Sequence, residues 1–294
     1  MTGFSNSNLG KDLLFNVDGL VALVTGGGSG IGFMMTKGLI QNGAAKVYIA
    51  GRRLDVLNQA AIALGPNVIP VKCDVTSKSD LQQAVDFIKQ DAGFLNLLVC
   101  NSGILGPQVK AVTPTTTLQS WADANFAHDF KAYVDTFAVN VAAVWYTSIA
   151  FLDLLSKGND KGNLEQSSQI IITSSVASFN KKAPSGWAYG QSKAAATLAT
   201  KQLGVVLPQW NIRANGIAPG LFPSDMSVDT VSAYKNGVDN SHDIPPTQVP
   251  LRRMGREEEI AGTLLYLTSR AGAYTNGATL LVDGGRLGNF PSTN

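Results

Sequence analysis

Cysteine and histidine are scarce in this chain of 294 residues, which holds two of each. Cys73 and Cys100 each end a strand-like apolar run (VIPVKC and LNLLVC) with no CxxC spacing. A disulfide framework or a redox pair is therefore not expected, and buried strand-end thiols are. His128 and His242 stand apart, with no second ligand at metal-site spacing, so no metal is expected. Charge is sparse as well, at 15% with a net +2 and no block of basic residues. Nucleic acid and an anionic membrane are accordingly not expected partners. Long apolar runs are missing: the most apolar stretch, 138–155, carries Asn140 and Asp153 and reads as a buried helix rather than a membrane span. The first residues have no basic region followed by an apolar one, so no secretory signal is expected. These absences together predict a cytoplasmic globular protein.

What is present is a rhythm. Apolar runs at 20–25, 46–50, 67–72, 95–100, 169–174, 211–217 and 279–283 alternate with helix-length segments at 30–42, 54–64, 79–92, 130–157, 188–207 and 256–269. Most of the runs are continuous rather than alternating, the pattern of strands covered on both faces. The fold expected is α/β: a doubly wound Rossmann domain with a seven-stranded parallel sheet flanked by helices. It should occupy 19–285, with an N-terminal extension over 1–18 and a loosely held tail over 286–294. The stretch from about 222 to 250, rich in Pro, Asp, Asn and Ser, breaks the rhythm and reads as a lid.

Three motifs carry chemistry. The first strand runs into Thr25-Gly26-Gly27-Gly28-Ser29-Gly30-Ile31-Gly32 and then a helix. Glycines there let a pyrophosphate approach backbone N–H groups at the positive end of the helix dipole. The second strand ends in Gly51-Arg52-Arg53. An NAD enzyme usually carries an acid at that point for the ribose hydroxyl, whereas two arginines offer fork-shaped donors to a 2′-phosphate, so NADP(H) is the expected cofactor. Asp74 after the third strand and Asn101-Ser102-Gly103 after the fourth stand where cofactor passes in this fold. Finally, Tyr189 and Lys193 lie i, i+4 on one helix face. A neighbouring ammonium should lower the phenol pKa and make it a general acid–base. Ser174 or Ser175, ending the fifth strand, could hold the same substrate oxygen.

In this order the motifs resemble the short-chain dehydrogenase/reductase family over roughly 18–285. TGGGSGIG resembles the cofactor loop, CNSG the turn after strand four, AVNVAA the helix asparagine, SS the serine and YGQSK the Tyr–Lys pair. IRANGIAPG resembles the segment beneath the nicotinamide, and VDGG the last strand. The resemblance implies that Tyr189 moves the proton, Ser175 polarises the carbonyl, and Lys193 binds the nicotinamide ribose and lowers the tyrosine pKa. It also implies that Asn140 bends its helix and holds a water linking Lys193 to solvent. The implied cofactor contacts are Gly26, Ser29, Gly30, Ile31, Gly32, Arg52, Arg53, Asp74, Val75, Asn101, Gly103, Tyr189, Lys193, Pro219, Gly220, Phe222 and Ser224. A homodimer or homotetramer is implied too.

Three departures stand out. The segment from Ser175 to Tyr189 is one residue longer than is common in the family, which predicts a bulge or an altered pocket wall. Ser224 replaces a common threonine in LFPSDM, as in a branch resembling ketoacyl-type reductases that includes rhamnolipid-pathway and fungal biosynthetic enzymes. The polar insertion 157–168 should lengthen a surface turn before strand five. Phe179, Trp187, Leu221, Phe222 and Met226 flank the site and could form an apolar pocket for a polyketide-like ketone. An NADP-assisted cyclisation or isomerisation is a second reading, and a cofactor-sensing module, which the intact Tyr–Lys pair disfavours, is a third.

Overall fold

Every apolar run becomes one strand of a single parallel sheet. The strands are β1 (Val21–Thr25), β2 (Lys46–Gly51), β3 (Val68–Lys72), β4 (Leu97–Cys100), β5 (Gln169–Thr173), β6 (Arg213–Pro219) and β7 (Thr279–Val282). Their order is β3-β2-β1-β4-β5-β6-β7. The computed structural model describes residues 9–109, 111–224, 226–227 and 244–293. Helices α1 (Lys11–Leu14), α2 (Gly30–Gln41), α3 (Leu54–Leu64), α4 (Lys78–Asp91), α5 (Leu118–Phe126), α6 (Phe130–Phe137), α7 (Ala143–Ala150), α8 (Leu152–Lys161), α9 (Trp187–Val206) and α10 (Glu257–Thr268) complete the domain.

Successive residues of a strand point to opposite faces, which explains why the runs must be apolar throughout. In β1, Val21 and Leu23 join one core with Leu81 and Ile88 of α4, Val144 of α7 and Leu203 of α9. Ala22 and Val24 join the other core with Met35 and Leu39 of α2 and Ile260 and Leu264 of α10. Val24 stands beside Ile49 of β2 on one side and Val99 of β4 on the other. At β1 the strand order reverses, and the carboxyl ends of β1 and β4 splay their loops apart. That is where an open parallel sheet holds a ligand.

The structure changes several expectations. The helix expected over 130–157 is three helices: a π turn over Ala138–Ala142 separates α6 from α7, and Phe151 breaks α7 from α8. No single helix among the described residues is long and apolar enough to cross a membrane; the pair Phe130–Ala150 and Leu152–Lys161 passes only jointly, across a 45° bend. Helix α5 was not foreseen, because its exposed residues leave no core-facing periodicity to read. The insertion 157–168 is not a plain surface turn. Its first part extends α8, Asn163 Nδ2 donates to Gly19 O at 2.8 Å, and Ser168 is buried. Nor is the C-terminal segment loose. Arg286 and Leu287 are buried, Lys181 N donates to Pro291 O, and Thr293 N donates to Phe179 O, each at 2.9 Å. Of the expected lid, 225 and 228–243 lie outside the described residues. Its far end is anchored, with Val249 buried and Leu251 N bonded to Gly284 O.

Candidate active site

A cleft of ≈ 1250 Å³ runs across the carboxyl ends of the strands. Every expected site residue lines it except Gly32 and Asn140, which act from behind its wall. Gly26 (φ +67°) and Gly30 (φ +51°) adopt the left-handed conformation that favours glycine. At Gly32 a β-carbon would fall 2.2 Å from Gly26 O and 2.5 Å from Asn101 Nδ2, so the first turn of α2 can close on the loop only without one. Ser29, the N-cap of α2, makes no side-chain cap hydrogen bond, which leaves first-turn N–H groups for an anion. Asn101 does more than line the passage. Its Nδ2 donates to Thr25 O at 3.1 Å, and its backbone N–H and that of Ser102 donate to Thr25 Oγ1, tying β4 to the glycine loop.

Further along the cleft, Arg52 and Arg53 are exposed where β2 ends. Asp74 Oδ1 accepts from Thr76 N at 2.9 Å and Thr76 Oγ1 at 2.7 Å, which holds the carboxylate in a local turn beside buried Val75. Cys73 lies in the same wall. Burial pushes its thiol up to about 11 and that of Cys100 up to about 12, so both stay protonated at neutral pH.

At the other end the serine question resolves by geometry. Ser174 is buried, with its Oγ 2.6 Å from Thr197 Oγ1 and donating to Lys193 O at 3.2 Å, so it faces α9. Ser175 faces the cleft; its Oγ accepts from Ala177 N at 3.1 Å and is hydrogen-bonded with Tyr189. Lys193 is buried and donates from Nζ to Thr173 O at 2.8 Å, while its Nζ stands 5.9 Å from the Tyr189 ring centroid. Burial lowers the Lys193 pKa to about 8 and raises that of Tyr189, which the bond from Ser175 only partly offsets. The expected lowering of the phenol by its lysine is not seen in this structure, because burial disfavours the phenolate and the Ser175 bond alone opposes it.

Asn140 sits in the π turn, where Ala143 N reaches back to Ala138 O. The wider turn carries its amide against a neighbouring loop. Oδ1 accepts from Ile104 N, and Nδ2 donates to Ile104 O and to Ser192 Oγ, all at 2.9 Å. The side chain thereby clamps the backbone that follows Gly103. A β-carbon on Gly103 would lie 3.1 Å from Asn140 Oδ1 and 3.3 Å from Lys193 Nζ, so glycine leaves the lysine its room.

The apolar wall differs in part from expectation. Trp187, Leu221, Phe222 and Met226 line the cleft, but Phe179 does not, its backbone being bonded to Thr293. Phe222 is also a core residue, with its ring filling the space beside Gly255. The longer Ser175–Tyr189 segment forms a short turn, Val176–Ser178, then bridges Asn180 to Ser292 and passes Ala183 at φ +45°. Sequence reasoning missed Trp121 of α5, Arg286 and Phe290 as cleft residues. Nothing local to those positions marks them; the C-terminal pairing and the loop after β4 bring them in.

With this geometry in view, comparison with known proteins is direct. The short chain dehydrogenase family model matches residues 20–235. The chain is 45% identical over 283 residues to the short-chain dehydrogenase/reductase PhomF of Diaporthe leptostromiformis, covering 95% of each chain. It superposes on the RhlG/NADP active-site complex of Pseudomonas aeruginosa with a TM-score of 0.76 at 27% identity, covering 93% of this chain and 98% of that one. A gluconate 5-dehydrogenase from Burkholderia cenocepacia in complex with NADP and tartrate gives 0.77 at 26% identity, covering 95% and 99%. A parallel sheet with its cleft at the order reversal, a glycine cradle and a Ser–Tyr–Lys cluster now coincide with family-wide similarity: the chain belongs to the short-chain dehydrogenase/reductase family of oxidoreductases.

Proposed function

We propose that the protein is an NADP(H)-dependent reductase that converts an apolar, polyketide-like ketone to a secondary alcohol. The observation that carries this reading is one continuous cleft with Arg52 and Arg53 at one end and Ser175, Tyr189 and Lys193 at the other. The glycine cradle, the free first turn of α2 and the acid-free end of β2 fit a dinucleotide bearing a 2′-phosphate. Two of the solved relatives hold NADP, which supports the same choice. When bound, the cofactor supplies the hydride that reaches the carbonyl carbon.

The chain's own residues manage the oxygen and the proton. Ser175 Oγ donates to the carbonyl oxygen and polarises it. The raised Tyr189 pKa keeps the phenol protonated at neutral pH, ready to give its proton to the oxygen as negative charge develops there. Lys193, charged below about pH 8, stabilises the phenolate left behind and supplies donors to the nicotinamide ribose. Asn140 holds the Ile104 backbone that walls this end. Apolar residues exposed on α7 and α9, among them Trp145, Ile149, Leu198 and Val205, support a homodimer or homotetramer, which light scattering tests. The experiment for the activity is a carbonyl panel followed by NADPH absorbance. Tyr189→Phe should keep NADPH affinity and lose roughly 10²–10⁴-fold in turnover. Near-normal reduction by that variant overturns the mechanism.

A further inference from the structure

We infer that the substrate site has a second compartment, behind the Trp121–Trp187 pair, that takes a neutral aryl ring bearing a terminal hydroxyl. The inference rests on the reading above that a carbonyl reacts at Tyr189. A separate hollow of ≈ 360 Å³, open to the surface, adjoins the main cleft, within the roughly 300–1,000 Å³ of small-molecule sites. Three residues line both spaces, Val109, Trp121 and Trp187, so they form the partition. The two indoles meet edge to face, with centroids 6.5 Å apart and planes at 84°.

One side of that partition is lightly buried. Trp121 rides on α5, a helix with no buried residue, and is itself 37% exposed. Trp187, by contrast, opens α9 two residues before Tyr189. Its Nε1 is enclosed with no hydrogen-bond partner, an unfavourable state for a buried donor. The chamber also lies close to the chemistry. Ala188 and Gln191 face it from the same turn of α9 whose Tyr189 faces the cleft, and a turn rises only about 5.4 Å.

The lining selects the ligand. Among the described residues no Asp, Glu, Lys or Arg borders the chamber, which disfavours a carboxylate or phosphate. Aromatic walls favour a flat ring in offset or edge contact. His128, Asn125, and Tyr133, whose hydroxyl donates to Gln191 Oε1, also line it, and these suit a ligand hydroxyl.

The test is calorimetric titration of NADP⁺-saturated protein with cyclohexanone, 4-phenylcyclohexanone and 4-(4-hydroxyphenyl)cyclohexanone. A ketone facing NADP⁺ has no hydride to accept, so only binding is read. The phenyl ketone should bind at least about tenfold tighter than cyclohexanone, and the hydroxyl should not weaken it. Asn125→Trp and Gln191→Phe fill the chamber from two different helices, and each should reduce the preference to within about twofold; NADPH titration reports that each variant is folded. Wild-type protein that binds the two unsubstituted ketones equally, or a preference that survives both fillings, overturns the inference. If the preference holds but NADPH reduces none of the ketones, the chamber stands and the reductase reading falls. If all are reduced without preference, the reverse follows.

Discussion

Ser174 and Ser175 are adjacent and chemically identical, yet their surroundings differ, one facing Thr197 and the other the cleft. Ser174 Oγ lies 2.6 Å from Thr197 Oγ1, both residues being buried. Ser174→Ala leaves the threonine hydroxyl without that partner, a cost of about 1–3 kcal/mol. A chain of this length loses about 1.6 °C per kcal/mol, so Tm should fall by roughly 2–5 °C. Replacing both partners, as in Ser174→Ala/Thr197→Val, removes the orphan and should recover most of that loss. Ser175→Ala should do the opposite. Its Oγ caps a three-residue turn through Ala177 N and is bonded with Tyr189 in the cleft, so stability should change by only about 1 kcal/mol. Loss of a donor to the carbonyl oxygen, however, should cost roughly 10²–10³-fold in kcat. Calorimetric melting and NADPH-coupled steady-state kinetics on the same four proteins make the comparison. A Ser174→Ala variant that melts like wild type while losing more turnover than Ser175→Ala refutes the assignment.

Arg52→Ala/Arg53→Ala should weaken NADPH relative to NADH by about 1.5–3 kcal/mol, the scale of charged hydrogen bonds, as read by fluorescence titration of both cofactors; an unchanged ratio rejects the 2′-phosphate role. Gly103→Ala places a β-carbon 3.3 Å from Lys193 Nζ and 3.1 Å from Asn140 Oδ1. It should weaken NADPH binding and turnover together by about 1–3 kcal/mol, whereas intact kinetics would mean that Lys193 has room to spare. The buried lysine also makes a pH prediction. Its folded pKa of about 8 lies below the ordinary value near 10.4, so between those values the unfolded chain binds more protons at this site and stability rises with pH. The Tm of wild type minus that of Lys193→Met should therefore grow from pH 7.5 to pH 10, while wild-type kcat/KM falls above about pH 8; a difference that is flat or shrinks removes the buried-ammonium account.

Much of this protein is legible in one dimension because its signals are local. Runs such as Val21–Thr25 and Gln169–Thr173 are apolar at every position, and only a strand covered on both faces requires that. Glycines at 26, 30 and 32 sit beside a strand end and open a helix, and the i, i+4 spacing of Tyr189 and Lys193 places them on one face whatever surrounds them. Tertiary structure decided the rest. Which serine faces the cleft depends on Thr197, 23 residues away. Asn101 gains a supporting role from Thr25, 76 residues away, and Asn140 becomes a clamp only because a π turn brings it to Ile104. The C-terminal segment reads as a tail until Thr293 pairs with Phe179 across 114 residues and seats Phe290 in the cleft wall. A side chain's rotamer and partners follow from the packing of distant segments, and the phenol pKa follows from how much of that packing excludes water, neither of which a local pattern encodes.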